Sequence, residues 1–185
     1  FPSYGIGPHE LAMLPDGQTL VVANGGIQTH PDTGRAKLNV QSMQPSLAYM
    51  DSQTGELLEQ QYLAPDLHQN SIRHLALAPD GQVCCVMQYQ GKLTEMPPLV
   101  GLHRRGESIQ LLTAPQAIQK RMRNYCGSAC VDSSGQVFAI SAPRGGLVNF
   151  WRAGQGEYLG HVDLIDGCGI AAGTAPSEFL LSSGN

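Results

Sequence analysis

One pattern occurs twice without a gap, and it limits the possible folds more than any other feature of the chain. The stretch GPHELAMLPDGQTLVVANGG (7–26) returns as SIRHLALAPDGQVCCVMQYQG (71–91), with Leu11 aligned on Leu75 and the two Pro-Asp-Gly triplets superimposed. Two looser copies begin at Cys126 and Cys168, CGSACVDSSGQVFAISAPRGG and CGIAAGTAPSEFLLSSGN. Each copy has an apolar segment, a tight turn and a second apolar segment, which predicts a β-hairpin.

A second apolar pair with a polar turn follows each of the first three hairpins, so each repeat supplies four strands. Four-stranded antiparallel units repeated along a chain are typical of β-propeller blades. We therefore predict an all-β protein with about three and a half blades of a seven-bladed propeller, a plain antiparallel sandwich being the alternative. The predicted blades span 7–63 with an inserted loop at 25–44, 71–113, 126–164, and a half blade at 168–185. A second insertion, 114–124, predicts a short helix.

Composition excludes several classes of function. The 11 Lys and Arg against 15 Asp and Glu give a formal charge of −4, which provides no broad basic field for nucleic acid. We interpret the runs 104–105 and 120–123 as solvated loop charges. No apolar run approaches the roughly 20 residues of a membrane helix, so we predict no membrane span. Five Cys without a CxxC pair argue against a disulfide scaffold or zinc ribbon.

The candidate site follows from the repeat alignment. In a propeller the first strand of each blade lines the central channel, so equivalent positions meet at one rim. His9 aligns with Arg73, Gly127 and Cys168, whereas Glu10 aligns with His74, Ser128 and Gly169. We predict a rim site that includes the following ligand-binding candidates: His9, Glu10, Arg73, His74, Asp166 and Cys168.

These residue types suit two kinds of ligand. The imidazoles of His9 and His74 with the Glu10 carboxylate suit a metal ion, and Arg73 suits a carboxylate or phosphate. In the alternative interpretation, these polar side chains bind no ligand and only form hydrogen bonds that connect neighbouring blades. The inserted loop adds His30 and Arg35 as candidates and also carries Asp32 and Lys37. Cys126 and Cys168 begin adjacent inner strands, where a disulfide is one option.

Several stretches together resemble a bacterial family, the domain of unknown function 1513. They include GIGPHEL, LVVANGGIQTHPDTGRAKLN, LHQNSIRHLA, RMRNYCGS, APRGG and DGCGIA, spread over essentially the whole chain. The resemblance implies a seven-bladed propeller exported to the periplasm by a twin-arginine signal. It also implies genes beside iron-uptake components, such as imelysin-like proteins and di-haem oxidoreductases, as candidate partners. The family has no settled activity.

Our leading hypothesis is a non-enzymatic periplasmic propeller that binds a partner protein or small ligand through its rim, in iron or other metal handling. The alternative is a metal-dependent hydrolase of the lactonase-like type, with a metal ion on His9, Glu10 and His74 and Asp166 as general base. A purely structural module is a third option. Because an open arc exposes sheet edges, pairing of two half-propellers is a further expectation.

Overall fold

The computed structural model describes residues 1–34 and 36–184, which contain fourteen β-strands and one α-helix. The first eight strands are β1 (Pro8–Met13), β2 (Thr19–Asn24), β3 (Ser46–Asp51), β4 (Leu57–Tyr62), β5 (Asn70–Leu77), β6 (Val83–Tyr89), β7 (Val100–His103) and β8 (Gln110–Leu112). The helix α1 (Gln116–Arg121) then precedes β9 (Ser128–Val131), β10 (Val137–Ala142), β11 (Leu147–Arg152), β12 (Tyr158–Asp163), β13 (Gly167–Ala172) and β14 (Phe179–Ser183).

The strands form separate antiparallel sheets in sequence order. Sheet 1 has the order β1-β2-β3-β4, sheet 2 β5-β6-β7-β8, sheet 3 β12-β11-β10-β9, and sheet 4 the pair β13-β14. Within the described residues no sheet closes into a barrel. The prediction of an all-β fold made of four-stranded antiparallel units is confirmed, and α1 confirms the short helix predicted within 114–124.

The Pro-Asp-Gly triplets close the first hairpin of sheets 1 and 2. Asp16 Oδ1 accepts hydrogen bonds from the backbone N–H groups of Gln18 at 2.9 Å and Thr19 at 2.8 Å. Gly17 follows with a φ of 68°, a conformation that costs glycine little. In sheet 2, Asp80 Oδ1 likewise accepts from the N–H of Gln82. These aspartates are turn residues, as the sequence predicts.

One backbone hydrogen bond closes the first hairpin of each of the four repeats at a corresponding donor position. The bond that opens each turn runs between the following N–H and C=O groups: Leu14 and Thr19, Ala78 and Gln82, Asp132 and Val137, Gly173 and Glu178. Counting back three residues from the first two donors reaches Leu11 and Leu75. The alignment of the first strands is therefore also a structural equivalence, whereas the acceptor in sheet 2, Gln82, comes one residue before the position that aligns with Thr19.

Two apolar clusters hold the sheets face to face. One lies between sheets 1 and 2 and includes Leu14, Tyr49 and Leu75, and the other lies between sheets 2 and 3 and includes Phe138 and Trp151. Because sheet 2 is covered on both faces, its second strand is buried over Val83–Met87. Position in the series of sheets decides burial, since Leu75 is 5% exposed whereas the equivalent Leu11 is 64% exposed.

Polar contacts join neighbouring sheets at both ends. We call the end where β1, β5, β9 and β13 begin the leading end, and the opposite end, with the first turns, the hairpin end. The leading-end bonds run from Ser71 Oγ to Gly25 O (2.7 Å), from Gln88 Nε2 to Cys126 O (3.0 Å) and from Ser141 Oγ to Cys168 O (2.8 Å). The hairpin-end contacts are Tyr49 Oη with His103 Nδ1 (2.6 Å), Gly154 N with Gln82 Oε1 (2.7 Å) and Ser177 N with Asp132 Oδ2 (2.8 Å).

Candidate functional site

Two of the predicted site residues occupy β-bulges at the same repeat position. The register of β1 against β2 shifts between Pro8 and Glu10, which leaves His9 as the extra residue. In β5 the shift falls between Ile72 and His74, which leaves Arg73. A bulge bends the strand and redirects the side chain of its extra residue, and bulges are frequent beside functional sites.

The structure brings His9, Glu10, Arg73 and His74 together at the leading end of sheets 1 and 2. Glu10 Oε2 lies 2.8 Å from His74 Nδ1 and also accepts the N–H of Leu75 at 3.3 Å. The His9 ring packs edge-on against the His74 ring, with centroids 4.6 Å apart and planes at 88°. The predicted meeting of these four residues is therefore what the structure shows.

The environment of His9 favours its neutral form. Burial lowers its pKa, and the charges of Arg73 and His74 lower it further. A hydrogen bond to the Arg73 backbone and the Glu10 carboxylate act in the opposite direction without cancelling these effects. Beside the Arg73 guanidinium, the His9 imidazole is therefore more readily neutral than a free histidine.

An open cleft of about 540 Å³, which we call the rim cleft, lies beside the two bulges. The inserted loop forms its second wall, and the Lys37 ammonium of that loop donates to Gln90 Oε1 at 2.5 Å. The loop therefore reaches across to sheet 2 rather than projecting away. The cleft is lined by Gly7, Pro8, His9, Ile27, Thr29, Gly34, Lys37 and Arg73.

Arg73 is the most unusual group of the rim cleft. Its Nε atom is buried and has no hydrogen-bond partner. Burial lowers the pKa of Arg73, although the nearby Tyr125 partly opposes this change. A guanidinium keeps its charge in proteins, so Arg73 is an incompletely satisfied cation that borders the cleft.

The remaining candidates lie elsewhere. Asp166 lines a different cleft, together with Arg144. Cys168 is exposed on β13, where its carbonyl accepts a hydrogen bond from Ser141. His30 is exposed and its Nδ1 accepts the N–H of Asp32, which fits a capping role at the Pro31–Thr33 turn. The predicted candidate Arg35 lies outside the described residues.

Two further expectations concern cysteines and metals. Cys126 and Cys168 are both free thiols, with Cys126 buried and its Sγ directed to the Leu99 carbonyl at 3.7 Å. Among residues 1–34 and 36–184, no three His, Cys, Asp or Glu side chains are grouped as a metal site would require. A metal site formed by His9, Glu10 and His74 stays a prediction. In the structure, the Glu10 carboxylate already contacts His74 Nδ1.

From the sequence, Lys37 is only one of the charged residues of the inserted loop, and it is not predicted to lie at the candidate site. No local signal links it to Arg73, because the fold of the loop over sheet 2 brings them to one cleft. Tyr125, whose ring supports the Arg144 guanidinium at 4.1 Å from its centroid, was also missed.

In the part of the chain that the structure describes, no helix is long and apolar enough to span a membrane.

Fold and site together define a class: an all-β protein of consecutive antiparallel sheets that carries a cationic cleft where two of them meet. The chain belongs to the family described as protein of unknown function (DUF1513), whose family model matches residues 1–185. This confirms the family resemblance. The search of curated proteins finds no match.

Solved structures with little sequence identity share the fold. The structure of U3-55K superimposes with a TM-score of 0.60 at 12% identity, over 90% of this chain and 42% of that chain. Hydrazine synthase from Kuenenia stuttgartiensis superimposes with a TM-score of 0.58 at 15% identity, over 91% of this chain and 39% of that chain. The chain thus spans about two fifths of the length of both structures.

Proposed function

We propose that the protein is a non-enzymatic binding module whose rim cleft holds a small anionic ligand. The sheets are, in this proposal, consecutive blades of a seven-bladed propeller. The unequal burial of Leu11 and Leu75 supports the propeller, because a further sheet packed on sheet 1 would cover Leu11 as sheet 1 covers Leu75.

The observation that carries the anionic ligand is the buried, unpartnered Nε of Arg73. A cation removed from water loses solvation free energy unless a counter-charge or hydrogen bonds replace it. A carboxylate or a phosphate can accept two parallel N–H bonds from a guanidinium, which no single backbone carbonyl does. An anion in the rim cleft would therefore supply Arg73 with a counter-charge.

The other charged groups of the rim cleft act in the same direction. Lys37 supplies a second positive charge from the opposite wall, and His9 and Thr29 add hydrogen-bonding groups. Glu10 is turned toward His74 and the N–H of Leu75, and it is not among the lining residues. The lining of the cleft thus carries two cationic side chains and no carboxylate, although the formal charge of the whole chain is −4.

Thermal unfolding with defined anions tests this function. Phosphate and citrate are compared with chloride at constant ionic strength, so that the phosphate and carboxylate chemistries are separated. At 100 times its Kd, a bound anion stabilises by about 2.7 kcal/mol, or a Tm increase of about 5–10 °C for a chain of this size. We expect phosphate or citrate to produce this increase.

The matched variants are Arg73→Gln and Arg104→Gln. Arg104 is a hairpin-end cation paired with Asp80, so its removal changes the net charge equally without touching the rim cleft. The anion-dependent Tm increase should disappear in Arg73→Gln and persist in Arg104→Gln. An equal increase in both variants, or none in the unaltered protein, would show that the rim cleft is not the anion site.

The metal-dependent alternative and the periplasmic location are proposals with their own measurements. Near-stoichiometric iron, zinc or copper that is lost in a His9→Ala/His74→Ala variant would favour the metal-dependent hydrolase, or metal handling with periplasmic iron-uptake partners. Metal-free protein that still gains stability from an anion would favour the binding module. Cell fractionation tests the periplasmic location, which rests on the family resemblance alone.

A further inference from the structure

Cations without a carboxylate partner are concentrated at the leading end. Arg104, Arg105 and Arg152 pair with acids at the hairpin end, and Arg121 pairs with Asp163. The Lys and Arg side chains that lack an ion pair among residues 1–34 and 36–184 are Lys37, Arg73, Lys92, Lys120, Arg123 and Arg144. Arg73 lies in the bulge near the start of β5, and the other five lie before a first strand or between a second and a third strand, which places all six at the leading end.

Three of these cations surround a second cleft, apart from the rim cleft. It measures about 610 Å³ and is lined by Lys120, Arg123 and Arg144. An adjoining cleft of about 580 Å³ shares Lys120 and Arg123 and extends the surface over the other side of α1. We call the two together the α1 groove.

On the basic side of the α1 groove, cationic side chains still have N–H groups that can bind an anionic ligand. The Arg144 guanidinium lies 4.1 Å from the centroid of the Tyr125 ring, which fixes its plane and leaves its edge N–H groups for other acceptors. Arg121 is already engaged by the carbonyls of Gly145 and Gly146. Asp166 is the one carboxylate among the lining residues, so positive charge prevails.

The other side of the α1 groove is apolar. Leu93 is 82% exposed and Met96 is 39% exposed, and both line the adjoining cleft. Asn124 holds the loop that bears them, because its buried side-chain amide donates to the Glu95 carbonyl at 2.9 Å. The apolar and basic walls are therefore held in a fixed relation.

We propose that the α1 groove binds an acidic segment of a partner protein that also carries apolar side chains. Carboxylates of the segment would contact Lys120, Arg123 and Arg144, and its apolar side chains would cover Leu93 and Met96. Two open clefts that share Lys120 and Arg123 fit an extended chain, whereas an enclosed pocket fits a small ligand. Charge complementarity selects acidic partners and speeds their encounter.

The test uses fluorescence anisotropy with a fluorescein-labelled ten-residue peptide of alternating Glu and Leu. Peptides with Lys in place of Glu, or Ser in place of Leu, are the sequence controls, and a single-stranded oligonucleotide of equal charge is the polyanion control. We expect saturable, salt-sensitive binding of the Glu-Leu peptide. The Glu-Ser peptide should bind at least about tenfold more weakly, and the Lys-Leu peptide and the oligonucleotide should not compete.

Two double variants remove the same charge from different ends. Lys120→Gln/Arg123→Gln should weaken binding of the Glu-Leu peptide at least about tenfold, whereas Arg104→Gln/Arg152→Gln, at the hairpin end, should leave it unchanged. Leu93→Ser should weaken binding without any change in charge. Arg73→Gln should not affect it, which separates this proposal from the anion function of the rim cleft.

Three results would overturn the proposal. One is no saturable binding of the Glu-Leu peptide up to about 1 mM. Another is equal loss of binding in both double variants, which would indicate attraction by net charge alone. The third is competition by the oligonucleotide at equal strength, which would indicate a general polyanion surface.

Discussion

Leu11 and Leu75 are the same residue type at the same repeat position, so truncating each to Ala isolates the effect of burial. Leu75 is 5% exposed and packs in the cluster with Leu14, Ile72 and Cys85, whereas Leu11 is 64% exposed. Leu→Ala in a close-packed core costs about 2.7–5 kcal/mol, because the lost transfer free energy adds to that of the cavity. At an exposed position the cost is within about 0.5 kcal/mol.

We therefore expect Leu75→Ala to lower the free energy of unfolding by about 3 kcal/mol and the Tm by about 6–12 °C, with a change of at most about 2 °C for Leu11→Ala. Urea titration followed by the fluorescence of the single Trp provides the measurement, since Trp151 is 2% exposed and reports loss of the core. The denaturant slope should be equal in both variants.

Equal losses of stability in the two variants would refute the reasoning. They would mean that something covers Leu11 in solution, such as a second copy of the chain or a further sheet. A dependence of Tm on protein concentration, present for the unaltered protein and reduced in Leu11→Ala, would identify the second copy as the cover.

Two further predictions concern the hairpin end. Gly135→Ala should destabilise the protein by more than Gly17→Ala. Both glycines have positive φ (73° and 68°), but a Cβ on Gly135 would lie 2.4 Å from Pro79 Cδ, whereas a Cβ on Gly17 would meet open space. Equal unfolding midpoints of the two variants in urea would contradict the predicted clash at Gly135. The pKa of Asp132 is about 2: burial raises it, but hydrogen bonds from Ser134 and from the N–H groups of Ser177, Val137 and Gln136 outweigh burial. A carboxylate whose pKa is lowered in the folded state stabilises above its unfolded value near 3.9 and loses this contribution as pH falls toward 2. Asp132→Asn should thus be less stable than the unaltered protein at pH 6 by about 1–3 kcal/mol and nearly equal to it at pH 2, and a constant difference in chemical denaturation across this range would exclude the carboxylate as the cause.

Local patterns were sufficient to predict the hairpins, because a turn such as Pro15-Asp16-Gly17 is determined by its own residues. The repeat alignment also predicted that His9, Glu10, Arg73 and His74 meet, since equivalent positions of adjacent sheets are neighbours in space. These parts of the structure depend on short-range chemistry and on repetition.

The rest depends on contacts that the alignment does not contain. Lys37 reaches the rim cleft only because the inserted loop folds toward Gln90, and Asp166 lies in the α1 groove because it precedes β13, in a different sheet from His9 and Arg73. The same residue type at Leu11 and Leu75 gives no indication that one is exposed and the other buried. Burial at these positions is set by which sheets are adjacent.

The bulges in β1 and β5 also bear on how such a protein can change over evolution. His9 and Arg73 are the extra residues of their bulges, so their side chains are not part of the alternation that fills the core. The equivalent positions elsewhere hold Gly127 and Cys168, so one chain already accommodates four chemically different residues there. New ligand preferences can therefore arise by substitution at these positions while the sheets that support them keep their packing.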